Sequence, residues 1–260
     1  MLKKKSLGQN FLTSKAIAKS IAEAGSPKDG ECIIEIGPGE GFLTEEILKL
    51  SNNLVLVEKD HRLIPVLEEK FDEEIENKKL RVIEGDILEM DTENLNINEE
   101  YKIIANIPYY ITGQIIRKFL ESNNQPKSMT LLVQKEVAER ILARDGKESL
   151  LSLSVKIFGN PKIIKKVPRG AFNPVPNVDS AVINIESISK DKLEGTSPEK
   201  YFKILHAGFA HKRKQLLPNI SNVFDKDKTK KAFEDLGIDP KIRAEDLPIS
   251  TWVKLSKILV

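Results

Sequence analysis

Four consecutive residues, Asn106-Ile107-Pro108-Tyr109, have the types needed to hold an aromatic amine for reaction. The exocyclic amine of a nucleobase is a poor nucleophile because its lone pair is delocalised into the ring. The side-chain oxygen of Asn106 and the backbone carbonyl of Ile107 can accept both amine hydrogens and direct the lone pair at an electrophile. Pro108 stiffens the turn, and Tyr109 can stack on the base. The segment therefore predicts transfer to an adenine-type amine by positioning, without a strong base in the first step.

A second aromatic residue belongs to the same hypothesis. Phe172 opens the sequence Phe172-Asn173-Pro174-Val175-Pro176, whose prolines favour a rigid loop. Its ring is expected to close the opposite face of the base, since base–aromatic stacking contributes ~1–3 kcal/mol per base. Taken alone, Tyr109 and Phe172 are equally consistent with packing in the core or in a loop. Together with Asn106 they favour a nucleobase site.

A glycine-rich turn predicts where a nucleotide-like cofactor binds. Glu35-Ile36-Gly37-Pro38-Gly39-Glu40-Gly41 follows an apolar run, and glycines let the backbone approach a ligand closely. Glu58, 21 residues after Gly37, is placed to accept hydrogen bonds from ribose hydroxyls, and Asp86 to accept one from an adenine amine. The G-x-G-x-G spacing differs from the NAD fingerprint and favours S-adenosylmethionine, whose cationic sulfonium needs no pyrophosphate cradle. The alternative is a tight turn beside ordinary surface acids.

The sequence pattern predicts that these residues are positioned by an α/β sheet domain, which is followed by a group of helices. Short apolar runs alternate with helical patterns at residues 42–50 and 62–76, which is typical of a parallel, Rossmann-like sheet. The strands of this sheet are predicted at residues 32–36, 54–57, 80–83, 101–105 and 129–133. Residues 153–158 and 180–185 are predicted as an antiparallel edge pair. After a linker, helices are predicted at 198–210, 214–223, 228–236 and 249–259, so the predicted domains are 1–189 and 190–260.

The charge distribution suits a polyanionic partner. The 260-residue chain has a net charge of +2, but residues 190–260 carry +5 and residues 1–189 carry −3. Basic residues cluster at 3–5, 162–169 and 212–214. Each phosphate that a lysine or arginine neutralises releases condensed counterions, which favours binding to nucleic acid. Any one of these clusters is equally consistent with a solvated face.

Several function classes are not supported. The longest charge-free stretch, residues 103–116, contains polar residues, proline and glycine, and a bilayer span needs ~20 mostly apolar residues. The basic N-terminus lacks the apolar core of a signal peptide, and the single cysteine cannot form an internal disulfide. The three histidines lack metal-ligand spacing, and no G-x-S-x-G turn is present. We therefore expect a cytoplasmic enzyme without a metal.

The motifs together resemble the rRNA adenine dimethyltransferase family over nearly the whole chain. The matching segments are Gly8-Gln9-Asn10-Phe11-Leu12, Glu35-Ile36-Gly37-Pro38-Gly39, Asn106-Ile107-Pro108-Tyr109, Gln134-Lys135-Glu136-Val137-Ala138-Glu139-Arg140, Phe172-x-Pro174-x-Pro176-x-Val178-Asp179-Ser180-Ala181 and the basic stretch 209–216. Within the family the chain is most similar to the KsgA branch, which dimethylates two adjacent adenines near the 3′ end of small-subunit rRNA.

The resemblance implies a fold, a cofactor and site roles. It implies a Rossmann-like domain that binds S-adenosylmethionine and a small helical domain that contacts RNA through Lys212, Arg213 and Lys214. The cofactor would contact Asn10 and Leu12 of an N-terminal arm, Gly37 and Gly39 of the glycine turn, and Glu58, Asp86 and Asn106. The expected partner is small-subunit rRNA in an assembling ribosomal particle, with the protein acting as a monomer away from membranes.

Two departures and several alternatives stay open. Tyr110-Ile111-Thr112-Gly113 stands where the family usually has Asn-Ile-Ser-Thr, and Leu150-Leu151 where a Tyr-Gly pair is common. The alternatives are the Erm branch, which modifies large-subunit rRNA and confers macrolide resistance, a non-catalytic ribosome-assembly or transcription factor, and a DNA adenine methyltransferase. An NAD-dependent dehydrogenase is the weakest alternative.

Overall fold

The fold is described by a computed structural model that covers residues 11–91, 95, 97, 100–211 and 213–260. Its strands are β1 Phe11–Leu12, β2 Cys32–Ile36, β3 Leu54–Glu58, β4 Leu80–Glu84, β5 Tyr101–Asn106, β6 Ser128–Gln134, β7 Asn160–Val167, β8 Phe172–Asn173 and β9 Ser180–Glu186. Its α-helices are α1 Lys15–Ala24, α2 Thr44–Leu48, α3 Ile64–Lys70, α4 Asp72–Glu76, α5 Thr112–Glu121, α6 Lys135–Leu142, α7 Leu150–Lys156, α8 Pro198–Phe209, α9 Leu216–Ser221, α10 Lys226–Asp235 and α11 Ile249–Leu259.

A seven-stranded mixed sheet organises the first part of the chain. Its order is β4-β3-β2-β5-β6-β9-β7, with parallel pairing from β4 to β6 and antiparallel pairing of β9 with both β6 and β7. Every residue of β2 and β3 is buried, as expected for strands covered on both faces. A separate two-stranded sheet pairs β1 with β8. The five predicted parallel strands and the predicted strand at 180–185 are confirmed.

The predicted strand at residues 153–158 is wrong, because most of this segment belongs to helix α7. The apolar–polar alternation Leu153-Ser154-Val155-Lys156 has the period of a strand, but a capping box starts a helix instead. The Ser149 hydroxyl accepts from the Ser152 N–H, and the Ser149 N–H donates to the Ser152 hydroxyl. The antiparallel edge partner of β9 is β7, whose lysines had suggested only a basic cluster.

The chain divides into two compact units. The first comprises the described part of Met1–Ala138 together with Asn160–Ile188, and the second comprises Glu139–Gly159 together with Ser189–Val260. The predicted boundary at 189/190 assigned residues 139–159 to the sheet domain, whereas the structure assigns them to the second unit. The reason is local bonding: the Tyr201 hydroxyl of α8 contacts the Leu153 carbonyl at 3.4 Å, and Lys192 Nζ donates to the carbonyls of Lys156 and Gly159.

The second unit is built around buried aromatic residues. Trp252 of α11 is fully buried and stacks on Phe209 of α8, with ring centroids 5.8 Å apart. Gly208 makes this approach possible, since a Cβ there would lie 2.3 Å from the Trp252 ring. The four helices predicted for residues 198–259 are all present, with ends that differ by a few residues.

Candidate active site

The carboxyl ends of the central parallel strands converge on one cleft in the first unit. It encloses about 1140 Å³ of empty space, open mouth included. Ligands of open α/β sheets bind at this edge of the strands. The cleft is lined by residues 11–12, 35–40, 42–43, 57–60, 85–87 and 106–111.

The glycine turn after β2 brings bare backbone to the cleft. Gly37 and Gly39 have φ angles of 64° and 60°, in the left-handed region that favours glycine. The Gly37 N–H donates to the Val57 carbonyl at 2.9 Å, which holds the turn against β3. A Cβ on Gly39 would lie 2.9 Å from the Phe11 ring, so a side chain would displace the cleft wall. The predicted glycine positions therefore line the cleft with the expected geometry.

Glu58 ends β3 and ties the glycine turn to the next loop. Its Oε2 accepts from the Gly39 N–H at 3.1 Å and its Oε1 from the Asp60 N–H at 2.9 Å. Burial raises the pKa of the Glu58 carboxyl above its ordinary value, although these N–H groups favour the charged form. A carboxylate has about four acceptor positions, so these N–H groups leave an acceptor position for the predicted ribose contact, which stays a prediction.

Asp86 lies beyond β4, in the predicted position, and is engaged in an ion pair. Its Oδ2 lies 2.6 Å from Lys59 Nζ, and its Oδ1 accepts from the Leu88 N–H at 2.9 Å. Burial alone would raise the pKa of Asp86, but the hydrogen bonds from Lys59 and Leu88 outweigh it and lower the pKa. The Lys59 side chain is 63% exposed, so the predicted adenine amine would have to compete with a solvated cation for this carboxylate.

Glu35 is a cleft residue for which no role was predicted. It is 1% exposed, and its Oε2 accepts from the Thr44 hydroxyl at 2.7 Å. Burial is the main cause that raises the pKa of Glu35 to about 8; the hydrogen bond from Thr44 opposes this shift, and the nearby charge of Glu58 adds to it. The floor of the cleft thus holds a carboxyl group that is largely protonated at neutral pH. The sequence feature that could have indicated a role for Glu35 was its position two residues before the first glycine of the turn.

The amine-binding segment occupies the end of β5 and the turn after it. Asn106 is half-buried as the last residue of β5, and Ile107 is 2% exposed. Tyr109 begins a 3-10 turn, Tyr109–Ile111, after Pro108. Asn106, Ile107, Pro108 and Tyr109 all line the cleft. The structure therefore brings the predicted acceptors and one predicted ring to the cofactor cleft.

Ser180 fixes the Tyr109 ring, a contact that the sequence analysis missed. The two hydroxyl oxygens lie 2.6 Å apart, and Ser180 is fully buried at the start of β9. Burial raises the pKa of the Tyr109 hydroxyl, which keeps it protonated and able to donate. Ser180 belongs to the family motif Val178-Asp179-Ser180-Ala181, but its partner Tyr109 lies 71 residues away along the chain, so the contact could not be predicted from local sequence.

The remaining predicted residues have different placements. Leu12 lines the cleft and is 6% exposed, whereas Asn10 lies outside the described residues. Phe172 is 2% exposed, pairs with Leu12 through β8 and β1, and is not on the cleft wall. Its ring would have to leave the core to stack on a base, so the stacking role stays a prediction.

The predicted RNA-contacting residues belong to the second unit. Arg213 and Lys214 are exposed there, and Lys212 lies outside the described residues. Their role stays a prediction.

The described residues contain neither a candidate metal cluster nor a candidate membrane span. None of these residues form a group of three or more His, Cys, Asp or Glu side chains suited to a metal ion. None of the helices in this part of the chain has the length and apolar character needed to cross a bilayer.

Comparisons with known proteins agree with this geometry. Residues 1–260 match the family model described as "Ribosomal RNA adenine dimethylase". The chain is 42% identical to a ribosomal RNA small subunit methyltransferase A from Dehalococcoides mccartyi, over 97% of this chain and 87% of the relative. It is 40% identical to a protein of the same name from Fusobacterium nucleatum, over 98% of this chain and 97% of the relative.

Solved structures share the fold over nearly the full length of this chain. A dimethyladenosine transferase from Plasmodium falciparum is similar with a TM-score of 0.81 and 25% identity, covering 96% of this chain and 99% of that one. The 23S rRNA methyltransferase ErmE is similar with a TM-score of 0.76, the same identity and the same coverage. The predicted fold class, enzyme class and S-adenosylmethionine cofactor are confirmed. The chain belongs to the ribosomal RNA adenine dimethylase family.

Proposed function

We propose that this chain uses S-adenosylmethionine to dimethylate the exocyclic amines of two adjacent adenines near the 3′ end of small-subunit (16S) rRNA. The observation that carries the proposal is the meeting of two acceptors, Asn106 and Ile107, with the glycine turn in one cleft. Relatives at 40–42% identity are named as small-subunit enzymes. The 23S rRNA methyltransferase ErmE, at 25% identity, supports the large-subunit alternative less strongly.

The chain's residues fit the cofactor. When bound, S-adenosylmethionine supplies an electrophilic methyl group on a cationic sulfur. The bare backbone at Gly37 and Gly39 leaves room for its methionine portion. Glu58 and Asp86 offer carboxylate oxygens for the ribose and adenine portions, and Leu12 forms an apolar part of the wall. Asn10 would complete the arm, as the resemblance implies.

The chain contributes to the reaction by orienting the amine. The Asn106 amide oxygen and the Ile107 carbonyl each accept one amine hydrogen, which favours a pyramidal nitrogen with an available lone pair. Tyr109, held by Ser180, supplies a fixed ring for the base. A monomethylated amine still carries one hydrogen for one of the two acceptors. The same site therefore suits a second transfer.

The partner is an assembling small-subunit particle in the cytoplasm, bound by a monomer of this protein. Support comes from the exposed Arg213 and Lys214 and from the net charge of +5 over residues 190–260. Lys212, beside them in sequence, would add a third phosphate contact. Phosphate contacts position a protein without reading sequence, so the shape of the particle would select the adenines.

The test is transfer of labelled methyl groups to unmethylated small and large ribosomal subunits, assayed separately. We expect dimethyladenine near the 3′ end of small-subunit rRNA. Label confined to large-subunit RNA would establish the Erm-type alternative instead. No label in either particle, with cofactor binding retained in calorimetry, would identify a non-catalytic assembly factor.

A further inference from the structure

A group of cations on the edge strand β7 and in the turn that follows it has no role in the cofactor cleft. We propose that Lys165, Lys166 and Arg169, here called the edge basic surface, bind RNA phosphates that flank the target adenine. This inference rests on the proposed function and adds a second RNA contact, carried by the catalytic unit itself. All three residues are exposed.

The charges of the edge basic surface are not neutralised within the described part of the chain. Lys162, on the same strand, forms an ion pair with Glu186 at 2.6 Å. Lys165 Nζ instead donates to the neutral Ser20 hydroxyl at 2.8 Å, and no carboxylate among the described residues forms an ion pair with Lys166 or Arg169. A cation without an ion-pair partner can bind a phosphate without first breaking an ion pair.

Strand register places these cations at the edge of the sheet that carries the active site. Val167 pairs with Ser180, and Ser180 holds the Tyr109 hydroxyl. Lys166 is the next residue along β7, so its Cα lies about 6 Å from that of Ser180, given strand spacings of ~4.8 Å and ~3.3 Å per residue. A lysine side chain extends a similar distance beyond its Cα. Its ammonium group can therefore reach a strand of RNA whose base enters beside Tyr109.

The turn after β7 makes a second connection to the cleft. Arg169 begins a 3-10 turn whose last residue, Ala171, accepts at its carbonyl from the Thr13 N–H at 2.9 Å and from the Thr13 hydroxyl at 3.0 Å. Thr13 directly follows β1, whose residues line the cleft. Arg169 is thus held close to the N-terminal wall of the cofactor site.

The chemistry of this surface favours a phosphate backbone over bases or a protein partner. Side chains alternate along a strand, so Lys165 and Lys166 leave β7 on opposite faces and both faces of the sheet end carry a cation. Among the residues of β7, Ile164, which precedes Lys165, is the exposed large apolar residue, at 46% exposure. Contacts of this kind add affinity and a salt dependence without sequence preference.

The test measures binding of the full-length chain to unmethylated small-subunit particles over a series of KCl concentrations. The variant is the triple Lys165→Gln/Lys166→Gln/Arg169→Gln, and the control is Lys162→Gln, whose cation is already paired with Glu186. With a slope change of ~0.7 per lost phosphate contact on single-stranded RNA, the triple should reduce the log–log salt slope by about 2. We expect its KM for the particle at 0.1 M salt to rise about tenfold or more, with unchanged kcat and S-adenosylmethionine affinity.

The outcomes separate this inference from the proposed function. A triple variant with the wild-type salt slope and KM, or a Lys162→Gln control with the same losses, would overturn the edge basic surface as a specific contact. A fall in kcat at unchanged KM would also overturn it. A wild-type protein that binds the particle with this salt dependence but transfers no methyl group would instead refute the proposed function.

Discussion

The contact between the Tyr109 and Ser180 hydroxyls gives a quantitative test of how the base-binding ring is held. Ser180 is fully buried, so Tyr109→Phe leaves its hydroxyl without a partner, and Ser180→Ala does the same to the half-buried tyrosine hydroxyl. An unsatisfied buried polar group costs ~1–3 kcal/mol, so each single variant should lose about 1–2 kcal/mol of unfolding free energy. The double variant removes both partners and should lose little more than the worse single one. The expected coupling energy is about 1 kcal/mol.

Urea unfolding at constant pH gives the four stabilities of this double-mutant cycle, and methyl transfer gives the functional effect. We expect Ser180→Ala to raise KM for the small-subunit particle several-fold, with S-adenosylmethionine affinity within about twofold of wild type. The matched control is Tyr101→Phe, because the Tyr101 hydroxyl donates to the Asn124 carbonyl at 2.7 Å at the opposite end of β5. It should lose comparable stability without a change in KM. A coupling energy below ~0.3 kcal/mol, or an equal KM rise in the control, would refute the reasoning.

Two further predictions concern the carboxyl groups of the cleft. Burial raises the pKa of Glu35 to about 8 from an ordinary value of 4.5. Its stabilising contribution is therefore complete below about pH 4.5 and falls by ~1.4 kcal/mol per pH unit up to about pH 8. In urea unfolding from pH 5 to 8, wild type should lose stability relative to Glu35→Gln, and a pH-independent difference would contradict this. In Lys59→Ala, loss of the exposed ion pair should free Asp86 and tighten S-adenosylmethionine binding up to about fivefold in calorimetry. Weaker binding would argue against competition for Asp86.

The positions of the parallel strands along the chain were predictable because buried parallel strands are short apolar runs. Residues 32–36 and 54–57 are short runs that are apolar except for Glu35. Their predicted bounds agree with those of β2 and β3 to within a residue. The prediction for residues 153–158 failed because the apolar–polar alternation from Leu153 to Lys156 imitates a strand, while the capping hydrogen bonds of Ser149 favour a helix. Strand β7 was missed because an edge strand can carry exposed lysines that read as a surface cluster.

The site was predictable wherever function depends on residues adjacent in sequence. The glycine turn and the segment from Asn106 to Tyr109 are local patterns, and both line the cleft. The bond from Tyr109 to Ser180 spans 71 residues and follows from the register of β9, which one sequence does not reveal. The ion pair of Lys59 with Asp86 depends in the same way on the pairing of β3 with β4.

The central claim is that Asn106 and the carbonyl next to it orient an adenine amine of small-subunit rRNA for methyl transfer. The most direct test compares wild type and Asn106→Ala in single-turnover transfer to unmethylated small-subunit particles, with cofactor affinity measured by calorimetry. Losing one directed hydrogen-bonding group of this kind costs ~10²–10³ in rate, so transfer should become nearly undetectable while S-adenosylmethionine still binds within several-fold of wild type. Transfer by Asn106→Ala at the wild-type rate would contradict the account.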